Sequence, residues 1–273
     1  ANAAWGLLPD IVRDSFPKNE LSKALADFCS IVWPTWVASQ TPSLVVGLEE
    51  RIPPPYLLDP FIIRGAGTIL FGDPGSLKSY SAMLMAISVD AGLLGFWRTQ
   101  QARVLFVNLE RSEESVQARL GSLNRTLYLP AERPLAIHNA RGKTLADVRD
   151  PIQRYVQEEG IELVVVDSLS RAGSGDMTAN DVANRSMDIL NGIASTWVVI
   201  GHSPRGESTH VFGSQMFDAA ADLIVSQTPE HQGERHGIAL SMTKANDSRI
   251  APTEFLEFEF DEAAAYDSDS ERL

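Results

Sequence analysis

The sequence predicts an α/β protein whose central sheet is mostly parallel and flanked by helices. Apolar segments of strand length alternate along the chain with segments of helix length, which is typical of a parallel sheet covered on both faces. A glycine-rich turn joins one of these apolar strands to the next helix. The last part of the chain contains several strands with little helix between them, which predicts antiparallel strands at the C-terminal edge.

The chain divides into three predicted regions. Residues 1–55 predict a helical N-terminal arm and linker, because apolar residues recur at helical spacing within Glu20–Trp33. The proline-rich segment Arg51–Tyr56 is a stiff connector. Residues 56–261 then form the main domain, and residues 262–273 an acidic tail that we expect to be disordered.

The main domain begins with a strand, a turn and a helix, over Thr68–Phe71 and then from about Lys78 to Ala91. Apolar runs predict the later strands, and helical spacing of apolar residues predicts the helices between them. The later strands are Arg103–Leu109, Leu135–His138, Ile161–Val166, Trp197–Ile200, Ala221–Val225, Gly237–Met242 and Phe255–Phe260. The later helices are one with Ser112 as N-cap, Leu145–Glu158 and one near Asn180–Ile193.

Composition limits the classes of function. The 273 residues carry a net charge of −13, which argues against a broad nucleic-acid-binding surface, so any polyanion contact would use a few local basic residues. The single cysteine, Cys29, excludes a disulfide framework within one chain, and we expect it to be a small core residue. We expect a soluble, cytoplasmic protein, because no apolar run is long enough for a membrane helix and no signal peptide is visible.

The turn Gly72–Ser79 is the strongest functional signal. A Pro/Gly/Ser loop between a strand and a helix can point successive backbone N–H groups at one anion, and the helix dipole adds to this. Lys78 would supply charge to the β- and γ-phosphates of ATP, and Ser79 a hydroxyl for Mg²⁺. Leu77 stands where such loops usually carry glycine, which we expect the chain to tolerate through a helical backbone. The alternative is a chance glycine-rich turn. The predicted nucleotide-binding residues are Gly72, Asp73, Pro74, Gly75, Ser76, Leu77, Lys78, Ser79 and Tyr80.

Three more polar residues follow apolar strands and are therefore expected at the same edge of the sheet. Asp167 could hold Mg²⁺ through water, or cap the next loop. Glu110 could orient and deprotonate the attacking water, or be a first-turn acid favoured by the next helix dipole. His202 could sense the γ-phosphate, or be a structural histidine.

Basic residues after the late strand form a further candidate set. Lys244 and Arg249 could cross a subunit boundary and stabilise charge on the phosphates of a neighbouring subunit, as arginine fingers do. The alternative is an ordinary solvated loop.

Taken in order, these segments resemble the RecA-like ATPase core, and more narrowly the plasmid and phage replicative helicases of the RepA type and the DnaB class. The resemblance covers roughly Pro53–Phe260, and it rests on the joint order of several short motifs. They are Pro53–Leu57, Ile63–Thr68, Gly95–Trp97, Leu109–Ser112, Arg119–Leu120, Val166–Leu169, Ile200–Pro204, Phe212–Ser214 and Ala221–Asp222.

The resemblance implies a homohexameric ring that hydrolyses ATP with Mg²⁺ and acts on single-stranded DNA. Glu110 takes the position of the catalytic glutamate of the family, and His202 that of its γ-phosphate sensor. Two loops take the positions that line the central channel. Arg171, Arg205 and His210 in these loops are then candidate contacts to the DNA backbone.

The chain departs from the family after its late strand. The family usually has Lys-x-Arg there, whereas this chain has Lys244-Ala245-Asn246, and Asn246 cannot replace an arginine finger. Arg249 is the other candidate for that role. Two alternatives therefore stand beside the helicase: a regulatory or recombination-mediator ATPase of the same superfamily, and a nucleotide-dependent scaffold with little turnover. The joint presence of Lys78, Ser79, Glu110 and Asp167 speaks against the scaffold.

Overall fold

The computed structural model describes residues 18–39, 42, 44–47, 49–50, 52–171, 175–204, 210–232 and 235–259. The chain divides into two compact units, Ala1–Ile52 and Pro53–Leu273. The predicted acidic tail at 262–273 lies outside the described residues, and the boundary at residue 55 stays a proposal.

The first unit contains helix α1 (Lys18–Ser39), which includes Pro34. On this helix the rings of Trp33 and Trp36 stack against each other, with centroids 5.1 Å apart. The expectation that Cys29 is a core residue is wrong, because its side chain is exposed. In the part that the structure describes, this unit is built on a single helix, which offers no second layer of its own to bury an apolar face.

The second unit contains all the described strands. In chain order they are β1 (Tyr56–Asp59), β2 (Ile62–Ile63), β3 (Gly67–Gly72), β4 (Arg98–Thr99), β5 (Val104–Asn108), β6 (Ala136–Asn139), β7 (Leu163–Asp167), β8 (Trp197–Ile200), β9 (Leu223–Gln232), β10 (Arg235–Ala245) and β11 (Glu254–Phe258). Over the described residues the main sheet has eight strands in the order β11-β10-β9-β3-β8-β7-β5-β6. The six strands β9-β3-β8-β7-β5-β6 are all parallel to one another, whereas β10 is antiparallel to both of its neighbours, β9 and β11.

Helices cover both faces of the main sheet. They are α2 (Lys78–Ala91), α3 (Glu113–Thr126), α4 (Leu145–Glu159), α5 (Asn180–Ile193) and α6 (Met216–Ala220). Alternate residues of β3 point to opposite faces, as the period of a strand requires. Leu70 joins the buried cluster that contains Met83 of α2, whereas Ile69 joins the cluster that contains Met187 of α5.

Two of these helices begin at the caps that their sequences provide. The predicted N-cap Ser112 accepts a hydrogen bond from the backbone N–H of Ser115 at 3.3 Å, which confirms the start of α3. Thr144 and Asp147 form a reciprocal capping box at the start of α4. Such caps satisfy backbone N–H groups that have no partner within the helix.

The predicted fold class is confirmed: the protein is α/β, with a mostly parallel sheet flanked by helices, antiparallel strands at one edge and a helical N-terminal arm. Sequence patterns missed the small antiparallel sheet β2-β1-β4, whose strands have only two to four residues. None of the helices in the described ranges combines the length and the apolar character needed to span a membrane.

Candidate active site

A cleft opens at the carboxyl edge of the main sheet, where β3, β8, β7 and β5 lie side by side. The ends of these strands bring residues from four distant parts of the sequence together, as parallel topology requires. The cleft has a volume of about 120 Å³. It is lined by Gly75, Leu77, Lys78, Ser79, Tyr80, Glu110, Arg111, Arg119, Asp167, Ile200 and His202.

The loop between β3 and α2 is bonded to the strands on both sides of it. The hydroxyl of Ser203, just beyond β8, donates to the carboxylate of Asp73. The side-chain amide of Gln227 on β9 donates to the carbonyl of Ser76. Gly72 faces Gln227 so closely that a Cβ atom would lie 2.1 Å from its carbonyl oxygen, so only glycine fits there. These bonds hold the loop against the edge of the sheet.

Leu77 has a left-handed backbone, with φ 63° and ψ 18°. The expectation of a helical conformation at this residue is therefore wrong. Leu77 is the N-cap of α2, and its carbonyl accepts the first helical hydrogen bonds from Tyr80 and Ser81 at 2.9 and 3.1 Å. A non-glycine residue pays roughly 1–2 kcal/mol for this conformation. The half-buried side chain packs against the core beside α2, which offsets part of that cost.

Lys78 is only 5% exposed, and its ammonium group lies inside the loop. Its Nζ donates to the carbonyls of Gly72 and Asp73 at 2.9 and 2.6 Å and to the hydroxyl of Ser76 at 3.3 Å. Burial lowers the pKa of Lys78 from 10.5 to about 8, although the nearby carboxylates of Asp167, Asp73 and Glu110 oppose this shift. The loop therefore presents a desolvated cation beside its backbone N–H groups.

The buried Asp167 and the half-buried Ser79 place two side-chain oxygen groups next to this cation. Asp167 is 3% exposed, and burial raises the pKa of its carboxyl, while a hydrogen bond from Ser79 opposes the rise. The described residues contain no cluster of three or more histidine, cysteine or acidic side chains that could enclose a metal ion. This pair suits Mg²⁺, which protein sites usually hold through one or two carboxylates together with waters and substrate phosphates.

Glu110 follows β5 directly, and the Asn108 side chain shapes the turn on which it lies. The Oδ1 atom of Asn108 accepts from the backbone N–H of Arg111 at 2.9 Å, and its Nδ2 atom donates to the carbonyl of Arg111 at 2.8 Å. The Glu110 carboxylate accepts hydrogen bonds from the hydroxyls of Ser168 and Ser170, just after β7. Both the backbone and the side chain of Glu110 therefore have defined positions at the edge of the cleft.

His202 lies in the cleft, beyond the end of β8. Burial, followed by the positive charge of Lys78, lowers the pKa of His202 below its ordinary value of 6.5, so the imidazole is neutral at pH 7. Its Nδ1 atom is buried and has no hydrogen-bond partner among the described residues. A neutral imidazole with one unused nitrogen is suited to form a hydrogen bond with a group that enters the cleft.

The other predicted site residues do not line this cleft. Lys244 donates to the carbonyls of Asp218, Ala219 and Ala221 at 2.7, 3.2 and 2.7 Å, so it caps the C-terminal end of α6 within its own chain. These bonds favour a structural role for Lys244 over the predicted action on a neighbouring subunit. Arg171, His210 and Arg249 are exposed. Arg205 lies outside the described residues.

Several residues of the site were not predicted. Arg119 from α3 lines the cleft, and its guanidinium carbon lies 4.4 Å from the centroid of the Tyr80 ring. Ser168 directly follows Asp167, and Ser203 directly follows His202. Their positions after apolar strands could therefore have predicted that they lie at the site. Gln227 gave no such signal, because it lies within β9 and bonds to a loop 151 residues earlier in the chain.

The fold and the cleft together define a class of protein, the P-loop ATPases, in which a strand, a phosphate-binding loop and a helix hold a nucleotide. A family model described as "AAA domain" matches residues 38–214, which is more than half of the 273 residues, and the chain belongs to this family. No curated protein sequence matches the chain. The protein is thus a nucleotide-binding ATPase of the AAA-like and RecA-like superfamily.

ATP affinity should depend on pH through Lys78. The ammonium form attracts phosphate, and with a pKa of about 8 this form is lost in the free protein as pH rises above 8. Above pH 8, Lys78 must take up a proton when ATP binds, and this uptake weakens binding. The Kd for ATP should therefore rise about tenfold between pH 7 and pH 9. Titration with a fluorescent ATP analogue at constant ionic strength measures this. The variant Lys78→Arg, whose guanidinium stays charged, should show a flat profile, and a flat profile for the parent would contradict the lowered pKa.

Proposed function

We propose that this ATPase is a motor that assembles as a homohexameric ring and moves on single-stranded DNA as a replicative helicase. The observation that carries the proposal is the position of Arg171. Strand β7 supplies Asp167 to the nucleotide cleft, and the short 3₁₀ turn that follows ends at the exposed Arg171. A DNA phosphate bound at Arg171 would therefore lie only four residues along the chain from Asp167, which lines the cleft. The order of motifs shared with RepA-type and DnaB-class helicases supports the same proposal.

The cleft residues fit the steps of ATP hydrolysis. The backbone N–H groups of the loop Gly72–Ser79 and the Lys78 ammonium would bind the phosphates. Ser79 and Asp167 would hold Mg²⁺, which supplies charge neutralisation at the phosphates. Glu110 would accept a proton from the attacking water, and His202 would form a hydrogen bond with the γ-phosphate and register its loss.

A specific observation supports the second candidate, a regulatory or recombination-mediator ATPase that does not unwind DNA. Lys244, near the end of β10, is engaged by α6. In the loop after β10, the amide of Asn246 donates to the carboxylate of Asp222 at 3.3 Å. Neither residue is then available to stabilise charge on a neighbouring subunit. Arg249, which is exposed in the same loop, is the candidate that the motor needs.

The ATPase rate with and without single-stranded DNA tests the motor. We expect DNA to raise the rate of the parent several-fold, and Arg171→Ala to reduce this stimulation. Arg154→Ala is a matched control, because Arg154 is an exposed arginine on α4 and lies outside the cleft. It should respond to DNA as the parent does. A parent rate that DNA leaves unchanged would contradict the motor and favour the regulatory ATPase.

Native mass measured with and without ATP tests the ring separately. The proposal expects six copies in the presence of ATP. A monomer at every ATP concentration would contradict the ring. It would also contradict the predicted action of Arg249, which requires a neighbouring subunit.

A further inference from the structure

Two serine hydroxyls converge on the carboxylate of Glu110. The hydroxyls of Ser168 and Ser170 both donate to its Oε1 atom, the latter at 3.0 Å, and the two hydroxyl oxygens lie 2.8 Å apart. We call these two residues the serine clamp. It holds the group that, in the proposed mechanism, must accept a proton from water.

The clamp opposes that reaction in the resting protein. Hydrogen bonds from hydroxyls to an ionised carboxylate are among the stronger ones in proteins. They occupy lone pairs of the Oε1 atom that a water molecule would otherwise use, and they fix the carboxylate towards β7. To turn away from β7 and present Oε1 to water beside the γ-phosphate, the carboxylate must exchange these bonds for one with the water.

The clamp is built into the segment that ends at Arg171. Ser168 directly follows Asp167 and is 1% exposed, and Leu169 is buried in the core. The backbone N–H of Arg171 donates to the carbonyl of Ser168 at 3.1 Å and closes the turn. Ser170 lies between the buried Leu169 and the exposed Arg171, so a displacement of Arg171 would move Ser170 first.

We propose that the serine clamp slows hydrolysis until a polyanion binds at Arg171 and draws Ser170 away from Glu110. The proposal deepens the proposed function and rests on it, because single-stranded DNA is the polyanion expected at Arg171. It assigns Ser168 and Ser170 as positioning residues that act through Glu110. The same hydrogen bonds could instead hold Glu110 ready for catalysis, and the two roles have opposite effects on the resting rate.

Ser170→Ala is the decisive variant, because Ser170 is exposed and its loss should leave the fold intact. We expect the kcat without DNA to rise about fivefold, while the KM for ATP stays within about twofold. Stimulation by single-stranded DNA should fall by the same factor, since part of the release has already occurred. Ser170→Thr keeps the hydroxyl and should restore the low resting rate. Ser122→Ala, at an exposed serine on α3, is the matched control and should change neither value.

Ser168→Ala removes the other donor and should act in the same direction. A lower or unchanged kcat for Ser170→Ala, in a protein with the parent's melting temperature, would overturn the clamp and leave the motor standing. A higher kcat for Ser170→Ala in a protein whose parent ignores DNA would support the clamp at Glu110, and would remove DNA as its trigger together with the motor. The two proposals can therefore fail separately.

Discussion

Glu110→Gln is expected to lower the kcat for ATP hydrolysis about a hundredfold or more, because an amide cannot accept the proton of the attacking water. Affinity for ATP should stay within about twofold of the parent. The substitution keeps the shape of the side chain, and the Asn108 bonds that shape the turn go to backbone atoms of Arg111, so the site should stay assembled. Single-turnover hydrolysis and equilibrium binding of a fluorescent ATP analogue measure the two quantities.

Glu113→Gln is the matched control for this substitution. Glu113 is an exposed acid in the first turn of α3, so its loss removes a favourable interaction with the helix dipole and nothing from the nucleotide cleft. It should hydrolyse ATP like the parent. The alternative that Glu110 is a first-turn acid is wrong, because Glu110 precedes the N-cap Ser112. Equal and small effects of the two substitutions would therefore mean that Glu110 takes no part in proton transfer.

Lys78→Ala should weaken ATP binding about 10- to 100-fold, the effect of losing hydrogen bonds from a charged donor. At saturating ATP it should also lower the rate of hydrolysis, about 10²- to 10³-fold, because the ammonium stabilises charge that develops on the phosphates. Its present partners are the carbonyls of Gly72 and Asp73 and the hydroxyl of Ser76, so the loop already directs it to the centre of the phosphate site. Calorimetric titration with ATP measures the affinity.

Lys143→Ala is the control, since Lys143 is an exposed lysine outside the cleft. It should bind ATP as the parent does. Melting curves should accompany both variants, because the removal of a desolvated cation also changes the stability of the loop. ATP binding that survives Lys78→Ala unchanged would contradict the placement of the nucleotide in this cleft.

The sheet could be predicted from the sequence because its parallel strands are buried on both faces. Val164, Val165 and Val166 form one continuous apolar run, and the acid Asp167 ends it. Because ligands bind where such strands end, the sequence alone predicts Glu110, Asp167 and His202 at one edge of the sheet. Patterns of this kind depend only on local sequence and on the general geometry of parallel sheets.

The rest of the site depends on contacts that local patterns do not encode. The backbone of Leu77 is left-handed because the loop must close onto α2, and a leucine in the sequence gives no sign of this. In the sequence Lys244 resembles a free basic residue, because nothing there shows that α6 ends beside it. Ser170 meets Glu110 across 60 residues of sequence. Each of these facts follows from how separate elements pack together.

The left-handed backbone of Leu77 also sets which substitutions the phosphate loop can accept. In a library that contains every side chain at this position, retention of nucleotide binding should follow backbone freedom rather than hydrophobicity. Glycine, asparagine and aspartate adopt a positive φ most readily, whereas valine and isoleucine, which resemble leucine most in chemistry, are the least able to do so. The position would therefore rank residues in nearly the reverse of the order seen at an ordinary apolar site.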